Sequence, residues 1–131
     1  MPVSELIELL ADMVRIDSRN LHDMSYQGER PASEEAMAQF CAEKMRQFGF
    51  LKTDFQYIAA ERPNLLGIYM PNPDWPCLAF EAHLDTVGVE GMSIAPFEPT
   101  IKDGRLYGRG SCDTKGSLAS MLMACQKIIS A

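Results

Sequence analysis

Residues 77–82 place the strongest constraint on the fold of this chain, because they begin with four consecutive apolar residues, CLAF. A strand that is apolar on both faces is typical of the centre of a parallel sheet, where helices cover both sides. His83 and Asp85 follow directly, at the carboxyl end of this predicted strand. Ligands of open α/β sheets bind at that end of the strands. The segment therefore predicts a layered fold and a place for a functional site.

The remaining elements are predicted from periodicity and turn residues. Apolar residues recur at helical spacing over residues 4–16, 33–48 and 116–130. Strands are predicted at about 50–58 and 64–70, with Pro63 breaking the chain before the second one. Asp103-Gly104 is a two-residue turn signal and predicts a hairpin. The order of these elements predicts an α/β fold with a mostly parallel (mixed) sheet flanked by helices.

Charge and composition exclude several classes of protein. The 131 residues include 12 Lys and Arg against 18 Asp and Glu, a net charge of −6, which argues against nucleic acid as a partner. No run approaches the roughly 20 apolar residues of a membrane span, and the first residues are acidic where a signal peptide is basic. We therefore expect a cytoplasmic protein with no membrane partner. The four cysteines form no C-x-x-C pair and are predicted to be reduced and mostly buried, a disulfide or thiolate–metal site being the alternative.

Three residues carry the candidate chemistry. His83 and Asp85 are two apart, so on a strand their side chains share a face, and the carboxylate can orient the ring of a metal-binding histidine. The alternative is a structural histidine beside a surface aspartate. Asp113 lies in the glycine-rich segment GRGSCDTKG before the last helix, where it can reach a cation or simply cap that helix or stabilise a turn.

Three further polar residues have weaker signals. Arg109 and Lys115 could contact a substrate anion, although an ion pair or a hydrogen bond to a carbonyl is the simpler interpretation. His22 lies in a polar loop predicted over residues 17–32 and is expected to be exposed to solvent.

The combination of two motifs resembles the dinuclear zinc aminoacylase and carboxypeptidase family. These motifs are HLDTV at the predicted strand end and, about thirty residues later, DGRLYGRGSCDTKG. The family includes acetylornithine deacetylase, succinyl-diaminopimelate desuccinylase, aminoacylase and glutamate carboxypeptidase. The segments RIDS, FGF and RPNLLG also look like those of the family, so the resemblance extends over nearly the whole chain.

The resemblance implies roles for individual residues. His83 matches a ligand of one zinc ion, Asp113 matches the carboxylate that bridges two zinc ions, and Asp85 matches the catalytic-site carboxylate that orients the histidine. Cobalt can stand in place of zinc. The peptide bond after Asp113 is expected to be cis. The implied reaction is hydrolysis of the amide bond of an N-acyl amino acid or small peptide by metal-activated water.

The resemblance also implies that part of the site lies elsewhere. In the family, the general-base Glu belongs to an adjacent Glu pair further along, but no Glu follows Glu98 here. Residues 1–131 are therefore predicted to be the N-terminal portion of a catalytic domain, without the rest of that domain or the dimerisation domain. This portion is expected to be inactive alone, to bind zinc weakly, and to be either a marginally stable monomer or self-associated, whereas the full-length form is expected to be a homodimer. The alternatives are a non-catalytic α/β binding module and a related zinc aminopeptidase.

Overall fold

The computed structural model describes residues 3–20 and 33–131, so His22 and most of the predicted 17–32 loop lie outside the described residues. The elements in chain order are α1 (Val3–Arg15), α2 (Glu34–Gln47), β1 (Lys52–Ala59), β2 (Arg62–Ile68), β3 (Thr100–Lys102), β4 (Arg105–Tyr107) and α3 (Lys115–Ile129). All three predicted helices are confirmed, with ends within one residue of the prediction.

One apolar face of each helix builds the core. α1 packs against α3, and α2 packs against β1 and β2. The core residues are Leu9, Met13, Met37, Cys41, Leu118, Ala119, Leu122 and Met123. Burial of these faces supplies the main driving force for folding, because each fully buried large apolar side chain contributes about 1.5–3 kcal/mol.

The ends of α2 follow the local sequence. Ser33 is the residue before the first helical turn, Glu34 and Glu35 lie in that turn, and Lys44 and Arg46 lie in the last one, as the helix dipole favours. Gly49 has a φ of +89° just past the end of the helix. That left-handed conformation is inexpensive for glycine, and it directs the chain from α2 towards β1.

β1 and β2 form an antiparallel hairpin. The prediction that Pro63 breaks the chain is wrong, because Pro63 lies within β2 and is the register partner of Tyr57. The register shifts between Tyr57 and Ala59. A proline cannot donate to a strand ladder, and such an irregularity is one of the places in a sheet that accommodate it.

The predicted central strand at residues 77–82 is absent, and so is a parallel sheet among the described residues. The two sheets found there are two-stranded and antiparallel, and the one parallel contact is an isolated bridge between Arg19 and Thr86. Leu78 is 74% exposed and Phe80 48% exposed. A strand forms only where a neighbour accepts and donates its backbone hydrogen bonds, and residues 77–82 find no such neighbour in the described part. The α/β character is confirmed, whereas the parallel arrangement is not observed.

The hairpin β3–β4 confirms the turn prediction. Thr100 pairs with Tyr107 and Lys102 with Arg105 across the turn. Asp103 has a φ of +51° and Gly104 a φ of +72°, the positive pair that a type I′ turn requires. In the described ranges, no helix has the length and apolar character needed to cross a membrane.

Candidate metal centre

His83 and Asp85 face each other although no strand carries them. The His83 Nδ1 atom lies 3.0 Å from Asp85 Oδ1 and 2.9 Å from the Asp85 backbone oxygen. Both partners are acceptors, so Nδ1 carries the hydrogen and donates it to Asp85. In the neutral ring this leaves the lone pair on Nε2, the nitrogen that points away from Asp85, whereas in the protonated ring Nε2 also carries a hydrogen and donates it to Asp113 Oδ1.

Asp113 meets that second nitrogen. The His83 Nε2 atom lies 2.9 Å from Asp113 Oδ1, across 30 residues of sequence. The structure thus brings together all three residues that the sequence singled out. Thr114, not Asp113, occupies the position before α3, so the helix-cap alternative for Asp113 is wrong.

The glycine-rich loop before Asp113 approaches Thr86 closely. A Cβ atom at Gly110 would lie 2.7 Å from the Thr86 Cγ2 atom, and Gly110 has a φ of +78°. Glycine is therefore required there on two grounds, space and backbone conformation. The peptide bond between Asp113 and Thr114 is cis, as the resemblance implied.

The two carboxylates change the acidity of the histidine. Partial burial lowers the pKa of His83, but hydrogen bonding to Asp113 and to the Asp85 backbone, with the negative charge of both carboxylates, outweighs burial. The net effect raises the pKa above its ordinary value of 6.5. Because a metal binds the neutral ring, protons compete with it more strongly than at an isolated histidine.

His83 Nε2 and Asp113 Oδ1 fit two of the ligand positions of a zinc site. An imidazole nitrogen and a carboxylate oxygen are both zinc ligands, at about 2.0–2.2 Å from the ion. Two such ligands of one ion can stand about 3 Å apart, as Nε2 and Oδ1 do. Within residues 3–20 and 33–131, no group of three or more His, Cys, Asp or Glu residues is arranged to hold a metal ion. The described chain therefore offers two ligands rather than a complete set.

Asn20 is a site residue that sequence reasoning missed. Its Nδ2 donates a hydrogen bond of 2.9 Å to Asp85 Oδ2, the oxygen that does not face His83. Asn20 lies in a predicted loop, and no spacing pattern links it to Asp85, 65 residues later. Only the folded chain shows the contact.

Lys115 and Arg109 differ in their surroundings and in their hydrogen-bond partners. Lys115 is 2% exposed and its Nζ donates 2.7 Å to the Ile16 backbone oxygen, which confirms the structural interpretation. Arg109 borders the same cavity as His83, and its Nε is buried without a hydrogen-bond partner among the described residues. Its backbone N–H donates to the Pro96 oxygen at 2.7 Å.

The cysteines are more exposed than predicted. All four are free, but only Cys41 is buried, Cys125 is partly buried, and Cys77 and Cys112 are exposed. Cys112 borders the cavity beside Asp113. Exposure follows from the loop positions of Cys77 and Cys112, whereas Cys41 lies on the inner face of α2.

The cavity at His83 has a volume of about 230 Å³. It is bordered by the loop at Asp85–Val87 and by the segment Gly108–Asp113. Pockets that enclose a small ligand usually measure about 300–1,000 Å³. The space is therefore enough for an ion and part of a ligand.

These features define a class of protein, an α/β framework that carries a histidine–carboxylate site suited to a metal. In that site one carboxylate orients the histidine and a second carboxylate faces it. Residues 79–131 match the model of peptidase family M20/M25/M40. A succinyl-diaminopimelate desuccinylase from Marinobacter nauticus is 35% identical over 132 residues, covering 98% of this chain and 31% of that protein. The chain belongs to peptidase family M20/M25/M40, as its two motifs indicated, and it spans 31% of the length of this curated relative.

Proposed function

We propose that this chain provides part of the metal centre of a hydrolase that cleaves the amide bond of an N-acyl amino acid or small peptide. The observation that carries the proposal is the 2.9 Å contact between His83 Nε2 and Asp113 Oδ1, with Nδ1 held by Asp85. The desuccinylase relative supports an N-succinyl amino acid as the first substrate to test.

The chain's own residues account for binding and orientation. His83 and Asp113 would hold zinc, and Asp85 keeps the His83 lone pair on Nε2. When bound, zinc supplies an activated water and polarises the scissile carbonyl. The resemblance implies a glutamate as the group that moves the proton to the leaving amine, and none of the described residues that border the cavity is a glutamate. We therefore also propose that residues 1–131 alone bind zinc weakly and do not turn over substrate.

The test is zinc titration by calorimetry of the polypeptide of residues 1–131 and its variants. We expect His83→Ala and Asp113→Asn each to weaken zinc binding at least tenfold, because each removes one of two ligands. Asp74→Asn is the matched control, since Asp74 is an exposed carboxylate in another loop. Equal zinc affinity in all four proteins would overturn the proposed ligands.

Activity is tested on the complete product of the gene. Release of free amine from N-succinyl and N-acetyl amino acids is measured with zinc and with cobalt. Loss of amine release in His83→Ala supports the hydrolase. A full-length protein that binds zinc but releases no amine from either substrate would favour the non-catalytic module, and cleavage only at a free N-terminus would favour the aminopeptidase.

The homodimer and the self-association remain predictions. Leu78 and Phe80 border an apolar groove of about 570 Å³ between β2 and α3, and exposed apolar surface of this kind favours association. Sedimentation of residues 1–131 at increasing concentration tests this, and a compact, highly stable monomer at every concentration would contradict it.

A further inference from the structure

Asp85 has two carboxylate oxygens with different partners. Oδ1 faces His83 Nδ1 at 3.0 Å, and Oδ2 accepts the 2.9 Å hydrogen bond from Asn20 Nδ2. A carboxylate held at both oxygens cannot rotate about its terminal bond without losing one contact. The side chain of Asp85 is 30% exposed, so solvent competes only partly for these oxygens.

Backbone hydrogen bonds place Asn20 beside Asp85 without any contribution from the Asn20 side chain. The Asn20 N–H donates to the Thr86 oxygen at 2.8 Å, and the Thr86 N–H donates to the Ser18 oxygen at 3.0 Å. These two bonds form the isolated parallel bridge centred on Arg19 and Thr86. Ser18 and Thr86 are both buried, so the bridge is shielded from water.

Side-chain contacts of Arg19 also stabilise this segment. Its guanidinium makes paired hydrogen bonds with Asp17, including Nη2 to Oδ2 at 2.6 Å, and lies 5.4 Å from the centre of the Phe97 ring. Paired arginine–carboxylate contacts restrict geometry more than single ones. The contacts with Asp17 and Phe97 thus restrict the segment that leads into Asn20.

We propose that Asn20 is a positioning residue that holds the Asp85 carboxylate against His83, and so sets the direction of the His83 lone pair. The inference rests on the proposed function, because it assigns Asn20 to the same metal centre. Asn20 acts through Asp85 and touches no reacting atom. The Asp85 backbone oxygen, 2.9 Å from Nδ1, keeps that nitrogen protonated without Asn20, so the effect of losing Asn20 is partial.

The central test is a double-mutant cycle on zinc affinity in residues 1–131. Removing the group that orients a metal ligand, as Asp85 orients His83, typically weakens metal binding 10–100-fold. Asn20 is one contact further away, and we expect Asn20→Ala to weaken binding about three- to tenfold. In a background of Asp85→Ala, the same substitution is expected to have no effect, because the group it positions is gone. An equal loss in both backgrounds would overturn the proposal and indicate a general structural role.

Two further variants separate positioning from folding. Asn20→Asp keeps the size of the side chain but replaces the donor with a second negative charge, so it is expected to weaken binding more than Asn20→Ala. Asn72→Ala is the matched control, since within residues 3–20 and 33–131 the Asn72 side chain hydrogen-bonds only the Asp74 backbone N–H. Wild-type affinity in Asn20→Asp, or an equal loss in Asn72→Ala, would contradict the inference.

A metal-free measurement distinguishes failure of this inference from failure of the proposed function. The ¹⁵N signals of the His83 ring report how Nδ1 is bonded in the zinc-free protein. Asn20→Ala is expected to shift the Nδ1 signal, and Asn72→Ala to leave it unchanged. If wild type binds no zinc but this shift occurs, the metal site fails and the positioning contact stands. An unchanged Nδ1 signal would refute the contact whatever zinc does.

Discussion

The buried amine of Lys115 predicts how stability depends on alkaline pH. Its side chain is 2% exposed, and burial lowers the pKa from 10.5 to about 8, although electrostatic interaction with Asp17, and to a lesser extent with Cys41, acts in the opposite direction. Above pH 8 the folded protein releases this proton, whereas the unfolded chain retains it until about pH 10.5. The unfolded state then binds more protons, so the free energy of unfolding rises with pH across that window. At 1.36 kcal/mol per pKa unit the gain is about 3 kcal/mol.

Ionisation of the Cys41 thiol changes the free energy of unfolding in the opposite direction, and at higher pH. Burial raises the pKa of its thiol from 9.0 to about 12, with a smaller lowering effect from Lys115. The unfolded chain loses this proton first, so stability falls between about pH 9 and 12, by about 4 kcal/mol in all. The two slopes cancel where the windows overlap. We therefore expect stability to rise from pH 8 to 9, to stay level to about 10.5, and then to fall.

Urea unfolding followed by circular dichroism, at half-unit steps from pH 7.5 to 11, measures this curve. Lys115→Met replaces the amine with an unbranched apolar side chain, and we expect it to remove the rise between pH 8 and 9. Cys41→Ala is expected to reduce the fall above pH 10.5 while leaving the rise; part of the fall remains because burial also raises the pKa of Cys125 and the hydrogen bond to Glu35 raises that of Tyr57. Parallel curves for wild type and Lys115→Met between pH 8 and 9 would refute the reasoning, because they would show that Lys115 has the same pKa in both states.

Three other predictions test the core, the thiols and the turn. Met37 is fully buried, so Met37→Ala should lower the free energy of unfolding by about 2–5 kcal/mol. Leu51→Ala, at a 64% exposed position, should change it by less than about 0.5 kcal/mol. Equal losses in urea titrations would contradict the described core. Iodoacetamide should label Cys112 within the native protein and leave Cys41 unlabelled until urea is added, as mass spectrometry can show; native labelling of Cys41 would place it outside the core. A Cβ atom added at Gly104 meets no atom within 4 Å, but Gly104→Ala forces a side chain onto a φ of +72°. The substitution should therefore lower the free energy of unfolding by about 1–2 kcal/mol, measured by thermal unfolding. An unchanged midpoint would argue against the type I′ turn.

Features decided by neighbouring residues could be predicted from the sequence. The ends of α2, the left-handed Gly49 and the turn at Asp103-Gly104 all depend on contacts within a few residues. The strand predicted at residues 77–82 depends instead on a neighbour that accepts its hydrogen bonds. Four apolar residues indicate burial, but they do not specify which segment lies beside them, and among the described residues none does.

The residues of the candidate site also differ in whether they could be predicted from the sequence. His83 and Asp113 could be predicted because two specific motifs mark them, although they are 30 residues apart. Asn20 could not, because asparagine is common in loops and its contact with Asp85 spans 65 residues. A motif identifies the residues that touch the ligand more readily than the residues that hold them in place, since the latter can be supplied by any segment that the fold brings near.

The short segment after α1 explains how the site keeps its shape without the predicted strand. Lys115, two residues from Asp113, bonds the Ile16 oxygen, while Asn20 and the bridge to Thr86 hold the loop that carries Asp85. Both loops of the metal centre are therefore fastened to the same five-residue stretch, 16–20, rather than to a common sheet. The distance between His83 and Asp113 then depends on this stretch, and a change there should disturb both ligands together, even though none of its residues borders the cavity at His83.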